Sequence, residues 1–262
     1  MERKVSGKTV REKDGYQFLW EGSGEPPILF LHGLFGSLSN FIPLLEHFGR
    51  FTSACVPMLP LYTMPLKDAT VEGLVTYLKN FMDTMGIQKG VLVGNSLGGH
   101  IALLFALNYP ERVLALILTG SSGLYERTLG SEYPRRNDRE FIREKAEMTF
   151  YDPSFVTYEL VDEVYEIVNN RESALRVISL SRSAMRSSLR NSLRFITQPV
   201  CLIWGKQDQI TPPDVAREFH QLLPNSELHF IDKCGHAPMM EHPDEFIQIM
   251  EDFLVRKGIL SR

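Results

Sequence analysis

One stretch has the residue types and spacing of a nucleophile: Gly94-Asn95-Ser96-Leu97-Gly98, a G-x-S-x-G pattern with Gly99 directly behind it. A serine at the apex of a sharp strand-to-helix turn is held in a strained backbone conformation. Flanking glycines let neighbouring segments approach where a Cβ would clash. The hydroxyl then projects at the sheet edge over a helix N-terminus, whose partial positive charge favours a developing anion. Taken alone, the same residues also describe a serine that caps a helix between two turn glycines. Its partners decide between these readings.

A serine hydroxyl is a weak nucleophile until a base takes its proton. Of the seven histidines, His236 is the candidate: it lies in Cys234-Gly235-His236-Ala237-Pro238, just past the last apolar run, where its loop should emerge beside Ser96. His100 falls inside the helix after the serine and is expected to point away. His242 suits capping or packing at the start of the final helix, and His47, His220 and His229 read as surface or core. The imidazole in turn needs a buried carboxylate to fix its tautomer and stabilise its cation. Asp208, in Trp204-Gly205-Lys206-Gln207-Asp208, follows another apolar run. Its rival Asp232 lies only four residues before His236, and Thr119-Gly120-Ser121 offers no acid. The expected triad is Ser96, Asp208 and His236. A tetrahedral intermediate also needs N–H donors. Leu97, directly after the serine, is one, and the loop His32-Gly33-Leu34-Phe35-Gly36-Ser37 supplies the other, from Leu34 with Phe35 as a rival. His32 is expected to support that loop. Phe35 and Met239 are candidates for an apolar substrate pocket.

The elements that must position these groups alternate. Apolar runs at 27–31, 52–56, 90–94, 113–118, 199–204 and 227–231 read as strands, separated by helical patterns at 71–85, 97–108, 213–223 and 243–257. Continuous Val, Leu and Ile, buried on both faces and linked by helices, indicate an α/β fold with a mainly parallel sheet flanked by helices. Between about 122 and 197 the strand-like runs disappear, and charged residues interleave with Phe, Leu, Tyr and Val at helical spacing. Residues 1–121 and 198–262 are therefore expected to form the core, and 122–197 an inserted helical cap over the carboxyl ends of the strands, where open α/β sheets place their sites. Asp152-Pro153-Ser154 reads as a turn into a cap helix. Arg182, Arg186 and Arg190, at four-residue spacing, read as one solvated helix face, with carboxylate binding the lesser alternative.

Composition narrows the class. The 262 residues are 44% hydrophobic and 23% charged with a net charge of −4, ordinary for one globular domain. No basic run marks a nucleic-acid partner. Three scattered cysteines form no disulfide framework, the first residues lack an apolar leader, and no run is long enough to span a bilayer, so a cytoplasmic location away from membranes is expected. Gly22-Ser23-Gly24 lacks the third glycine of a dinucleotide fingerprint, Gly7-Lys8-Thr9 lacks the leading glycine of a P-loop, and no Cys/His ligand cluster stands out. No cofactor and no metal are expected.

On His32-Gly33, the Gly94–Gly98 turn, Trp204-Gly205 through Asp208, Gly235-His236 and Glu241-His242-Pro243, the sequence resembles the α/β-hydrolase superfamily over nearly its whole length, including the chain order Ser…Asp…His. The resemblance implies an eight-stranded sheet, a helical cap, and cofactor-free hydrolysis of an ester or related acyl substrate. Within the superfamily, Gly94-Asn95-Ser96 and the segment from Tyr151-Asp152-Pro153-Ser154 to Glu159-Leu160 resemble the meta-cleavage-product hydrolases, which cut carbon–carbon bonds in vinylogous diketones. That branch carries Gly-Pro-Gly in the loop that here reads Leu34-Phe35-Gly36, and an aromatic residue where Ala237 stands. The expectation is therefore a serine esterase acting on a small acyl substrate, with carbon–carbon hydrolysis as the alternative. A slow-turnover receptor on the same fold, or an acyltransferase, would keep the same triad.

Overall fold

The structure is a computed structural model and describes residues 3–125 and 135–261; residues 126–134 of the expected insertion lie outside the described residues. Helices and strands follow one another as β5 (Ile28–Leu31), α1 (Ile42–Phe48), β6 (Ala54–Pro57), α2 (Val71–Met85), β7 (Gly90–Asn95), α3 (Leu97–Asn108), β8 (Val113–Thr119), β9 (Val200–Gly205), α7 (Pro213–Leu222), β10 (Ser226–Ile231), α8 (Pro238–Glu241) and α9 (Pro243–Arg256). Before them come β1 (Lys4–Val5) and β2 (Lys8–Thr9), a separate two-stranded ribbon, then β3 (Arg11–Lys13) and β4 (Tyr16–Glu21). Among the described residues eight strands form one sheet in the order β10-β9-β8-β7-β5-β6-β4-β3. β5 to β10 are parallel, and β4 and β3 extend the edge antiparallel.

Each parallel strand reads as a near-continuous apolar run because both of its faces are covered. Alternate residues go to opposite cores: Leu29 and Leu31, Leu92, Leu116 and Leu118 pack with α2, α3 and α7, whereas Ile28 and Phe30, Val91 and Val93, Ala115 and Ile117 pack with α1 and α9. Helix α2 shows the local logic. Val71, Leu74, Val75, Leu78, Phe81 and Met82 recur on one buried face, each such side chain contributing roughly 1.5–3 kcal/mol. The Thr70 side chain caps the start, and Gly86, at φ +74, ends the helix in the left-handed conformation that glycine tolerates.

Between β8 and β9 the described residues form three α-helices, α4 (Arg139–Glu147), α5 (Tyr158–Asn169) and α6 (Arg171–Arg186). Ile142, Val161 and Val168 of α4 and α5 join the core on the α1/α9 side, while Leu180 and Ala184 of α6 join the α2/α3 side. The inserted helices therefore straddle the sheet. Two local expectations change. Asp152 does cap a turn through its bond from the Ser154 N–H, but the turn is a short 3-10 segment (Pro153–Phe155), and α5 starts later under the Thr157 cap. Arg182 and Arg186 are exposed on α6 as expected, whereas Arg190 lies beyond the helix end and pairs with Glu218.

Candidate active site

The chain runs from β5 to β6 on one side and returns to β7 on the other, so the sheet order reverses between β5 and β7. The loops after those two strands lead to helices on opposite faces of the sheet, α1 on one and α3 on the other, and the carboxyl edge at such a reversal is where open α/β sheets bind ligands. Those loops carry His32–Ser37 and Ser96.

Ser96 sits at φ +54, ψ −119 and its side chain makes no capping bond to α3. An ordinary N-cap serine is extended and bonds the first turn, so the capping alternative for Ser96 fails on both counts. The turn closes only because its neighbours are small: a Cβ on Gly94 would lie 2.5 Å from the Gly98 carbonyl, and one on Gly98 would overlap the Leu31 carbonyl. The Ser96 N–H donates to Thr119 O (3.1 Å) and its carbonyl accepts from Ser122 N–H (3.2 Å), which fastens the turn to the end of β8.

Asp208 and His236 leave the ends of β9 and β10 and meet: His236 Nδ1 lies 2.9 Å from Asp208 Oδ2, with both side chains buried. Asp208 Oδ1 accepts from the N–H groups of Ile210 (2.8 Å) and Thr211 (2.9 Å), and Oδ2 also accepts the Thr211 hydroxyl (2.8 Å). Four donors thus hold one carboxylate in place. With Nδ1–H directed at the carboxylate, Nε2 is the nitrogen left to take a proton. The rival Asp232 is a surface residue beside Lys206 and Gln207. Gly120 makes room for the ring: at φ +51, a Cβ there would lie 2.7 Å from His236 Cε1 and Nδ1.

The two expected N–H donors differ from their rival. Leu97 opens α3, where an N–H has no acceptor within its own helix. In the turn closed by Gly36 N–H to Gly33 O (3.1 Å), the Phe35 N–H is already given to the Tyr62 hydroxyl (3.0 Å), while the Leu34 N–H has no acceptor among the described residues. The turn lies against Ser96, since a Cβ on Gly33 would be 2.9 Å from Ser96 Cβ. His32 braces it as expected. Its Nε2 accepts the Leu59 N–H (3.3 Å), so Nδ1 carries the proton and donates to Gly33 O (3.1 Å), and burial lowers its pKa to about 4.

Phe35 is half-buried against the core of the α1/α9 side, and Met239, placed by the sequence reading at a pocket wall, is instead fully buried in that core with Phe246 and Met250. His100, expected to point away, is buried one turn after Ser96, 3.4 Å through Nδ1 from Ser122 Oγ. Sequence reasoning did not single out Asn95, whose amide donates to Thr119 O (3.2 Å) and His236 O (3.0 Å), nor Thr211 or Tyr62. It quoted Glu241 only within a motif; its carboxylate accepts from Gly235, Tyr151 and Asp152 N–H groups. Asn95 lay in plain view inside the serine motif; the others carried no local signal.

With this geometry in hand, comparison with known proteins places the chain. A family model described as the alpha/beta hydrolase fold matches residues 26–145 and 133–243. The chain belongs to the α/β-hydrolase family. A solved α/β-hydrolase enzyme from the metagenome of sediments of the Mar Chica lagoon, Morocco, is 39% identical, with a TM-score of 0.79 over 95% of this chain and 99% of that one. A Paraburkholderia phymatum 2-hydroxy-6-oxononadienedioate/2-hydroxy-6-oxononatrienedioate hydrolase is 34% identical over 89% of this α/β-hydrolase and 88% of the relative. A Burkholderia cepacia 2-hydroxy-6-oxo-6-phenylhexa-2,4-dienoate hydrolase is 30% identical over 89% and 88%. No helix among the described residues is long and apolar enough to cross a membrane.

Proposed function

We propose that this α/β-hydrolase uses Ser96 as nucleophile, His236 as general base and acid, and Asp208 to orient and stabilise the imidazole, and that it cleaves a carbon–carbon bond in a vinylogous diketone. The Asp208–His236 pair, delivered to the same sheet edge as the strained Ser96, supports the serine mechanism. Similarity over most of their length to hydrolases named for 2-hydroxy-6-oxo-dienoates supports the substrate class. In such a substrate, ketonisation moves the 2-hydroxyl proton to C5. Ser96 Oγ then attacks the C6 carbonyl while His236 takes its proton, and the Leu34 and Leu97 N–H groups hold the oxyanion. The C5–C6 bond breaks, its electron pair delocalises through C3=C4 onto the C2 carbonyl, and His236 returns the proton to the leaving fragment. Water, activated by His236, then hydrolyses the acyl-serine. We read α4 to α6 as a cap over this site. His236 N–H donates to Thr149 O (2.7 Å), in the turn after α4, and Arg176 Nε of α6 to Met64 O (2.6 Å), ties between this segment and core loops.

A second reading, hydrolysis of a carboxylic ester, is favoured by one feature: Ala237 stands directly behind His236, where the carbon–carbon hydrolases carry an aromatic residue. The two separate on turnover. A 2-hydroxy-6-oxo-dienoate and p-nitrophenyl esters of increasing chain length are assayed side by side with Ser96→Ala as control. A kcat/KM for the dienoate above that of every ester supports carbon–carbon hydrolysis. Ester turnover with an unchanged dienoate spectrum transfers the assignment to esterase. Both activities are expected to vanish in Ser96→Ala.

A further inference from the structure

Phe35 occupies the third position of the Gly33–Gly36 turn at φ +58. That position of the turn favours glycine or asparagine, and a bulky residue stays there only when its surroundings impose it. One contact imposes it. The Phe35 N–H donates 3.0 Å to the hydroxyl of Tyr62, 27 residues away, in the segment after β6. Tyr62 packs half-buried against the α2/α3 core, and burial raises its pKa, so the hydroxyl stays neutral and can accept this bond at any working pH.

The segment carrying Tyr62 is itself anchored. Leu59 N–H donates to His32 Nε2 (3.3 Å), Thr63 and Met64 N–H groups fold back onto Pro60 O (3.2 and 3.0 Å), and Arg176 of α6 donates to Met64 O (2.6 Å). Tyr62 is therefore a fixed post rather than a mobile surface side chain. Its bond has two effects on the turn. It withdraws the Phe35 N–H, and it keeps the turn in the form in which the Leu34 N–H stays uncommitted among the described residues.

We propose that Tyr62 is a positioning residue for the oxyanion hole: its hydroxyl locks the Gly33–Gly36 turn through Phe35 and thereby selects Leu34 as the donor from this loop. The proposal rests on the Ser96 acyl-transfer reading. Without the hydroxyl, Phe35 relaxes toward negative φ, the peptide rotates, and the Leu34 N–H leaves its place. The cost falls on the step where negative charge develops, so kcat drops and substrate binding does not.

The test is a double-mutant set: wild type, Tyr62→Phe, Phe35→Gly, and the pair, with kcat, KM and Tm measured on whichever substrate shows Ser96-dependent turnover. Tyr62→Phe keeps the ring and is expected to lower kcat ~10–100-fold, somewhat less than outright loss of an oxyanion donor, with KM within about twofold. Glycine accepts positive φ unaided, so in the Phe35→Gly background the Tyr62→Phe loss is expected to shrink to below about threefold. A packing role for Tyr62 would lower Tm and raise KM with the same loss in both backgrounds, and that result overturns the proposal. So does full kcat in Tyr62→Phe while Ser96→Ala is inactive. If wild type itself shows no Ser96-dependent turnover or fluorophosphonate labelling, the acyl-transfer reading falls and the positioning role falls with it.

Discussion

Asn95 Nδ2 donates a 3.0 Å hydrogen bond to the backbone carbonyl of His236, 141 residues further along the chain. The same nitrogen donates to Thr119 O at 3.2 Å. The residue immediately before the candidate nucleophile therefore ties the loop of the candidate base to itself and to the end of β8. Replacing Asn95 by Ala removes both bonds: Thr119 O keeps the Ser96 N–H, while the buried His236 carbonyl loses the Asn95 donor. A stability loss of about 1–3 kcal/mol and a ~10–100-fold fall in kcat are expected, with KM little changed. Urea unfolding and steady-state kinetics on the one variant check both figures; unaltered kcat at full folding contradicts the link.

Gly120 makes a narrower test because the three atoms nearest a Cβ built there all belong to His236. A Cβ at this position would lie 2.7 Å from two ring atoms of His236, and φ is +51. Gly120→Ala is expected to displace the ring from Asp208, lowering kcat by ~100-fold or more, while the unfavourable backbone conformation costs about 1 kcal/mol of stability. A crystal structure or histidine NMR spectrum of the variant should show the His236 shift directly.

The parallel sheet, the serine turn, α2 with its Thr70 and Gly86 ends, and the positions of Asp208 and His236 were legible in the sequence because each rests on local chemistry: apolar runs, a glycine-flanked turn, caps. The antiparallel edge was not. β3 is exposed throughout and β4 is mostly half-exposed, so neither shows the continuous apolar run that marks the central strands. The supports of the candidate triad were equally silent, since they depend on pairings across 27 residues for Phe35–Tyr62, 90 for Glu241–Tyr151 and 141 for Asn95–His236. Met239 misled because an apolar residue after the candidate base reads alike as pocket wall or core. Only its full burial in the core of the α1/α9 side distinguishes them.

Glu241 joins the His236 loop to the inserted segment. One carboxylate oxygen accepts the Gly235 N–H at 2.7 Å, the other accepts Tyr151 and Asp152 N–H groups at 2.8 and 3.2 Å. Glu241→Ala leaves three amides without their acceptor. A loss of about 2–3 kcal/mol is expected, together with faster amide exchange at residues 149–152 and 235–236. Glu241→Gln, which keeps one accepting oxygen, should recover about half. Exchange rates equal to wild type in Glu241→Ala contradict the tie.

Two buried histidines set an acid limit on stability. Burial lowers both His32 and His100 from 6.5 to about 4. Above pH 6.5 neither folded nor unfolded chain is protonated at these rings. Between 6.5 and 4 the unfolded chain takes up protons that the folded one refuses, so stability falls as pH falls through that window and levels off below it. The contribution is at most about 3 kcal/mol per ring. Urea midpoints between pH 7 and 5, above the range where most carboxylates titrate, should decline in wild type and decline less steeply in His100→Gln. A flat wild-type profile counts against the neutral buried rings.

The most direct measurement on the serine mechanism is intact-protein mass after exposure to a fluorophosphonate, for wild type, Ser96→Ala, His236→Ala and Tyr62→Phe, each shown to be folded by circular dichroism. A single adduct on Ser96 is expected in wild type, none in Ser96→Ala, and labelling slowed by a factor of ~10³ or more in His236→Ala. Folded wild-type protein that stays unmodified, or an adduct that persists in Ser96→Ala, contradicts the assignment of Ser96 as the nucleophile.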